Sequence, residues 1–222
     1  MHDYIDALEK EFKNQADAGI AKKQKAYLRD KFEFYGMTTA TRRELQKPFL
    51  LKEFLPDLNT RDAIIYDIWL KPQREYHLFA QELMFKYIKR LQKEDIHLLE
   101  FMVVNNSWWD TVDYIAYKLM GAYFKQFPDQ QQPYVEKWLK SDNIWLQRSA
   151  LLFQLKYKTE IDTTLLQRCI NALLGSKEFF INKAIGWVLR EYSRTNPDWV
   201  RDFVSKTELS PLSRKESLRL ID

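Results

Sequence analysis

Apolar residues recur at helical spacing along the whole chain. Segments such as TRRELQKPFLLKEF, YHLFAQELMFKYIKRL, IWLQRSALLFQLKY and FFINKAIGWVLREY carry apolar side chains at positions i, i+3 and i+4, as an amphipathic α-helix does. No segment shows the sustained apolar and polar alternation of a half-buried strand. The chain is therefore predicted to be all-α.

Polar residues that favour helix N-termini precede several of these segments. Candidate N-caps are Ser107, Asp142 and Ser176, and Ser107 also forms a serine-x-x-acid capping box with Asp110. We predict that helices start next to these residues.

The helical segments align as a degenerate repeat. Aromatic residues recur at intervals of 32, 37 and 35 residues, at Tyr76, Trp108, Trp145 and Phe180. Stacked helical pairs of the HEAT and armadillo kind have a similar period, and neighbouring pairs stack because one pair cannot bury its apolar face alone. We predict a single domain over residues 1–222, an all-α superhelical solenoid of HEAT-like antiparallel helix pairs with a concave binding face.

Composition and charge add limits on compartment and partner. Cys169 is the single cysteine of the chain, which fits a reducing compartment. No basic and apolar leader and no apolar run of roughly 20 residues is present, so we expect a cytoplasmic protein. The net charge is +4, and residues 140–222 hold 14 Lys plus Arg against 10 Asp plus Glu. Such a surface favours a phosphate-bearing partner, although an ordinary solvated helical surface explains it as well.

Several kinds of catalytic site lack their motifs. The three histidines are scattered without companion cysteines, which argues against a zinc site. The sequence has neither a glycine-rich phosphate loop nor a nucleophile elbow. We expect no metal and no cofactor.

One segment, NNSWWDTVDYIA at 105–116, combines tryptophans with aspartates. Trp109 and Asp113 are four residues apart, so they share one face of a helix. Considered alone, the pair is better explained as a tryptophan packed between helices beside a surface aspartate near a helix N-terminus.

Later repeats add arginines and a further tryptophan to this picture. Arg148 lies on the next repeat, and Trp187 and Arg190 lie on the one after it. If the repeats stack, one carboxylate, two indoles and two guanidiniums could meet a single ligand. A carboxylate beside aromatic faces suits a cation, and guanidiniums suit phosphates. Alkylated DNA offers both.

Four longer segments resemble the AlkD-type DNA alkylation repair proteins. They are SWWDTVD at 107–113, SDNIWLQRSALLFQLKYK at 141–158, SKEFFINKAIGWVLREYSRTNPD at 176–198 and LSPLSRKE at 209–216. The resemblance covers essentially the whole chain and is less distinct in the N-terminal third. It implies a HEAT-like solenoid that acts as a monofunctional DNA glycosylase in base excision repair. The substrates implied are positively charged alkylpurines, 3-methyladenine and 7-methylguanine, in duplex DNA.

The resemblance also implies roles for individual residues. It assigns catalysis to Asp113, Trp109 and Trp187, and DNA contacts to Arg148, Arg190 and Tyr27. To these we add Lys156 as a phosphate contact. The partner implied is double-stranded DNA with alkylated bases. We expect the protein to be a monomer that does not bind membranes, and to lie in the cytoplasm, associated with the nucleoid through DNA.

Two other functions remain open on the sequence. The chain could be a non-catalytic HEAT-like module that binds damaged or branched DNA, or a scaffold for a protein partner. Asp113 distinguishes the enzyme from the DNA-binding module, because a pure binder has no need of a carboxylate near phosphates. DNA binding that weakens steeply with rising salt concentration would distinguish the enzyme and the DNA-binding module from the scaffold.

Overall fold

The computed structural model describes residues 2–221, which form helices joined by short connections. Within this range no β-sheet is present, and an isolated bridge joins Glu33 and Gln73. The all-α prediction is confirmed. None of the helices described is both long and apolar enough to cross a membrane.

The chain divides into two compact units, Met1–Arg90 and Leu91–Asp222. The helices of the first unit are α1 (His2–Asn14), α2 (Ala18–Tyr27), α3 (Thr39–Gln46), α4 (Leu58–Trp69) and α5 (Arg74–Lys86), with 3-10 turns at Pro48–Leu50 and Lys52–Phe54. The second unit begins with α6 (Asp95–Val104), α7 (Trp109–Tyr114), a π-helical turn (Ile115–Met120), α8 (Gly121–Gln126) and α9 (Pro128–Leu139). It continues with α10 (Ile144–Leu152), a 3-10 turn (Lys158–Glu160), α11 (Thr163–Ala172), α12 (Phe179–Ser193), α13 (Pro197–Lys206) and α14 (Pro211–Leu218). That residues 1–222 form one domain stays a prediction.

The first unit packs α1 against α3 and α4 against α5. The loop before α3 is held by the buried carboxylate of Glu75, which accepts hydrogen bonds from the backbone N–H groups of Tyr35 (3.2 Å) and Gly36 (3.0 Å). Gly36 has φ +91°, and a Cβ there would lie 1.9 Å from the carbonyl oxygen of Asp17. Only glycine fits this turn.

In the second unit the aromatic register of the repeat is visible as a packed cluster. The ring centroids of Trp108 and Trp145 are 5.6 Å apart, and the ring of Phe180 lies 5.1 Å from Trp108 and 5.0 Å from Trp145. Three residues aligned across successive repeats therefore pack against one another. This cluster sits where α10 packs against α7 and α12.

Polar contacts in the second unit join residues about one repeat apart. Ion pairs of this kind include Lys93 with Asp129, Lys137 with Glu100, Asp113 with Arg148, Lys125 with Glu160, Arg168 with Glu136, Lys156 with Glu191 and Lys183 with Glu216, at sequence separations of 32 to 37 residues. A repeat whose members contact their nearest neighbours produces such a pattern. The repeat spacing of the sequence therefore recurs in this set of ion pairs.

A wide helical turn follows the residues of α7. The backbone N–H of Gly121 donates to the carbonyl oxygen of Ala116, five residues earlier, as in a π-helix. A Cβ at Gly121 would lie 2.6 Å from the carbonyl oxygen of Phe153, so glycine permits this close approach to the end of α10. The hydroxyl of Tyr157 also donates to the carbonyl oxygen of Gly121, at 2.6 Å. These contacts fix the start of α8 against the end of α10.

The predicted helix starts are wrong by one or two residues. The observed N-caps are Trp108, Asn143 and Glu178, in place of Ser107, Asp142 and Ser176. The Ser107 hydroxyl donates to the carbonyl oxygen of Val103 at the end of the preceding helix, and α7 starts one residue after Trp108 without a side-chain cap. Asn143 caps α10 because its side-chain oxygen accepts from the backbone N–H groups of two residues within the first turn.

Candidate active site

A pocket of about 240 Å³ lies in the second unit, beside the aromatic cluster. Its lining residues are Trp109, Arg148, Phe179, Phe180, Lys183, Trp187 and Arg190. They come from α7, α10 and α12, which are consecutive layers of the repeat. Four of them are candidates from the sequence, namely Trp109, Arg148, Trp187 and Arg190, and the structure brings these four together.

Asp113, one turn after Trp109, forms a bidentate ion pair with Arg148. The Nε and Nη2 atoms of Arg148 donate to Oδ1 and Oδ2 of Asp113 at 2.7 Å and 2.9 Å. Both side chains are largely buried, with 13% of Asp113 and 4% of Arg148 exposed. This planar, two-bond geometry is the strongest form of a carboxylate–guanidinium contact. The pair therefore gives the carboxylate a fixed position next to the pocket.

Two opposing effects act on the carboxyl of Asp113. Burial raises its pKa above the ordinary aspartate value, and the Arg148 guanidinium opposes this rise. Because both carboxylate oxygens accept hydrogen bonds from Arg148, protonation would remove one of them. The bidentate contact with Arg148 favours the ionised carboxylate, whereas burial makes this group take up a proton at a higher pH than an exposed aspartate does.

The geometry revises the role that the sequence suggested for Arg148. Its third nitrogen, Nη1, donates to the carbonyl oxygen of Phe180 at the start of α12. All three nitrogen atoms of the guanidinium are thus engaged within the protein, and the side chain is almost fully buried. Arg148 is suited to holding Asp113 and joining α10 to α12, rather than to reaching a DNA phosphate.

Three lining residues had no site role in the sequence analysis. Phe179 is 55% exposed at the first position of α12, and its ring meets Phe180 edge-on at 5.4 Å. Phe180 occupies the aromatic position of the repeat, and Lys183 occupies the repeat position of Arg148, 35 residues later. The repeat alignment contained the signal for these last two residues. Phe179 carried no comparable signal.

Two predicted DNA contacts engage in ion pairs on α12. Arg190 donates through Nη1 to Glu216 of α14. Lys156, about half exposed, donates to Oε1 of Glu191 at 2.6 Å and is not among the residues that line the pocket. Arg190 therefore belongs to the pocket, whereas Lys156 lies outside its lining.

Tyr27 belongs to the first unit, where it ends α2. Its side chain is 71% exposed, and α2 contains no buried residue. Lys22 and Lys23 are exposed on the same helix. The DNA contact of Tyr27 stays a prediction, and these features of α2 are compatible with it.

Comparison with known proteins identifies the family of the chain. The model of a family described as DNA alkylation repair enzyme matches residues 8–221. The chain belongs to the DNA alkylation repair enzyme family. It is also similar to a solved structure described as a predicted DNA alkylation repair enzyme from Enterococcus faecalis. The identity is 30%, the TM-score is 0.87, and the match covers 93% of this chain and 97% of that one.

A more distant similarity concerns the fold alone. The structure of smu.31 from Streptococcus mutans UA159 matches with a TM-score of 0.61 and 20% identity over 82% of this chain and 98% of that one. No curated protein gives a significant match. Membership of the DNA alkylation repair enzyme family gives this protein a role in the repair of alkylated DNA, with DNA as the substrate.

Proposed function

We propose that this family member is a monofunctional DNA glycosylase that removes positively charged alkylated purines, such as 3-methyladenine and 7-methylguanine, from duplex DNA. The observation that carries the proposal is the largely buried carboxylate of Asp113, held in a bidentate pair beside a pocket walled by Trp109 and Trp187. One carboxylate and two indoles match a cationic substrate.

The substrate's own charge determines what the site must supply. Alkylation at N3 or N7 leaves the purine positively charged. When the N-glycosidic bond breaks, its electron pair stays with the base, which departs neutral without prior protonation. The sugar is left as an oxocarbenium-like cation at C1′, water adds there, and one proton is released. No general acid is required, in contrast to the paired carboxylates of ordinary glycosidases.

Asp113 meets the positive charge that develops on the sugar. A fixed carboxylate stabilises an oxocarbenium-like transition state electrostatically, because its position needs no reorganisation during the reaction. Arg148 keeps the carboxylate ionised and in one orientation. Asp113 would also orient the attacking water.

The aromatic walls would hold the lesion and the sugar. Trp109 and Trp187 line the pocket, and an indole face attracts a cation by about 0.5 to 2 kcal/mol, depending on desolvation. Arg190, together with Lys156 and Tyr27, would contact the DNA backbone and fix the register of the duplex.

The second carboxylate near the pocket is unsuited to act as an acid. Glu216 accepts hydrogen bonds from Lys183 and Arg190, and the bond from Lys183 lowers the pKa of Glu216 below the ordinary glutamate value. Glu216 is therefore ionised at neutral pH and has no proton to give. This supports a site that removes cationic bases and leaves neutral ones in place.

A non-catalytic DNA-binding module is the second candidate. Both oxygens of Asp113 are engaged by Arg148, as they would be in an ion pair that serves only to join two helices. The two functions differ in one observable, since a binding module leaves the glycosidic bond intact.

A duplex with a single 7-methylguanine tests the proposed function. We expect the protein to release the base and leave an abasic site, which alkali converts into a strand break at the modified position. The matched undamaged duplex should stay intact under the same treatment. Tight binding to both duplexes without alkali-labile cleavage would contradict the glycosylase and favour the binding module.

A further inference from the structure

We propose that Glu216 is a positioning residue that fixes Lys183 and Arg190 on one wall of the pocket. Its negative charge also lowers the positive charge at this wall, so that the pocket admits a cationic base next to DNA phosphates. The proposal rests on the proposed glycosylase function. It concerns α14, which contributes no residue to the pocket lining.

The carboxylate of Glu216 bridges two cations of α12. Its Oε1 accepts from Nζ of Lys183 at 2.6 Å, and its Oε2 accepts from Nη1 of Arg190. Lys183 and Arg190 are seven residues apart, which places them two helical turns apart on one face of α12. Both cations line the pocket, whereas Glu216 lies behind them and is 8% exposed. Glu216 thus acts on the pocket through its two partners.

The backbone, and not only a flexible side chain, determines where this carboxylate lies. Gly186 lies between the two cations on α12, and a Cβ there would come within 2.5 Å of the Cβ of Glu216 and 3.0 Å of the carbonyl oxygen of Ser213. The hydroxyl of Ser213 donates to the carbonyl oxygen of Asn182 at 2.8 Å. Glycine therefore permits a close approach of α14 to α12, and Glu216 is carried into place by that approach.

Charge balance gives the contact a function. The cations that line the pocket are Arg148, Lys183 and Arg190. Asp113 offsets Arg148, and Glu216 offsets one of the other two charges, so the five groups sum to +1. Without Glu216 the sum would be +2. Extra positive charge attracts phosphates but repels a positively charged purine. It therefore raises the affinity for DNA in general and lowers the affinity for the cationic lesion.

Stability alone does not explain this arrangement. A buried carboxylate loses solvation on burial, and apolar replacements of buried ion pairs are often as stable as the pairs they replace. Apolar residues in place of Glu216 and its two partner cations together would avoid that loss. The arrangement is better explained by the two cations that it holds at the pocket wall.

Two abasic-site analogues, one cationic and one neutral, measure the effect without relying on catalysis. One duplex carries a protonated pyrrolidine abasic analogue, which is cationic, and a second carries the neutral tetrahydrofuran analogue at the same position. The ratio of the two affinities reports how well the site accepts positive charge. Loss of general DNA affinity or partial unfolding would affect both duplexes alike.

Glu216→Gln is compared with the matched control Glu191→Gln. Glu191 lies on α12, pairs with Lys156 and Arg194, and is absent from the pocket lining. Each variant adds one unit of positive charge, so general attraction to DNA rises in both. We expect the preference for the cationic analogue to fall about 3- to 10-fold in Glu216→Gln, as the loss of one charge beside a partly screened site would produce. The preference should be unchanged in Glu191→Gln.

Excision and an opposite variant complete the test. Single-turnover excision of 7-methylguanine should be slower in Glu216→Gln than in Glu191→Gln. Lys183→Gln removes a pocket cation, so it should raise the preference for the cationic analogue, and this change does not depend on correct folding of Glu216→Gln. Equal ratios in all four proteins would overturn the role of Glu216. A wild-type protein that binds both duplexes but excises nothing would instead overturn the proposed function.

Discussion

Replacement of Asp113 by Asn separates the catalytic role of the carboxylate from its structural role. The change keeps the shape of the side chain but removes its charge, and it leaves the buried guanidinium of Arg148 without a counter-ion. Removing one partner of a buried pair typically costs about 3 to 5 kcal/mol. The amide oxygen of Asn can still accept one bond, and Arg148 keeps its contact with the carbonyl oxygen of Phe180, so we expect the lower end, about 3 kcal/mol.

That loss can be measured and then largely reversed. For a chain of this length, about 3 kcal/mol corresponds to a fall in Tm of roughly 6 to 12 °C. Asp113→Asn/Arg148→Met removes both charges, and its stability should return to within about 1.5 kcal/mol of the wild type, because a buried pair replaced as a whole costs far less than a broken one. Circular dichroism melting curves provide the comparison.

Excision should not recover with stability. Under single-turnover conditions, well below every Tm, both Asp113→Asn and the double variant should release 7-methylguanine roughly 10²-fold more slowly than the wild type, since both lack the charge that meets the oxocarbenium-like sugar. Near-normal excision by the stable double variant would refute this reasoning. It would show that the pair joins α7 to α10 and has no part in the chemistry.

Two further predictions concern pH and salt. Since burial raises the pKa of Asp113 and only its ionised form is active, excision should fall with acidification at a higher pH than an exposed aspartate would give. In Arg148→Met the loss of activity on acidification should occur at a still higher pH, because the guanidinium that opposes the rise in the pKa of Asp113 is gone. Excision rates measured over a pH series, corrected for spontaneous depurination of the duplex, test both expectations. Arg190→Ala should weaken binding to damaged and undamaged duplexes alike. The slope of log binding constant against log salt concentration should become shallower by about one unit. A loss of affinity confined to damaged DNA would contradict a phosphate contact.

Much of the candidate site could be predicted because its residues follow the spacing of the sequence repeat. Trp108, Trp145 and Phe180 align in the sequence, and their rings pack together in the structure. The repeat also put Arg148 one layer after the helix of Asp113, and the two side chains do meet. Residues in equivalent positions of stacked repeats become neighbours, so a one-dimensional alignment gives three-dimensional proximity.

What could not be predicted depends on side-chain direction and burial. The sequence placed Arg148 near Asp113 but did not show that its guanidinium turns inward and engages the carboxylate with two nitrogens. The role of Glu216 requires the close approach of α14 to α12 at Gly186, which no periodicity reveals. The helix caps were misplaced because neighbouring polar residues, such as Asp142 and Asn143, have similar capping preferences, and local backbone geometry selects between them.

The measurement that tests the central claim most directly compares two lesions that differ in charge. Single-turnover excision is followed on identical duplexes that carry either 7-methylguanine or hypoxanthine at the same position. We expect release of 7-methylguanine at a rate well above its spontaneous loss, and release of hypoxanthine that is slow or absent, because the site has a carboxylate for the sugar but no acid to protonate a neutral base. Rapid release of hypoxanthine, or no release of 7-methylguanine, would contradict the account.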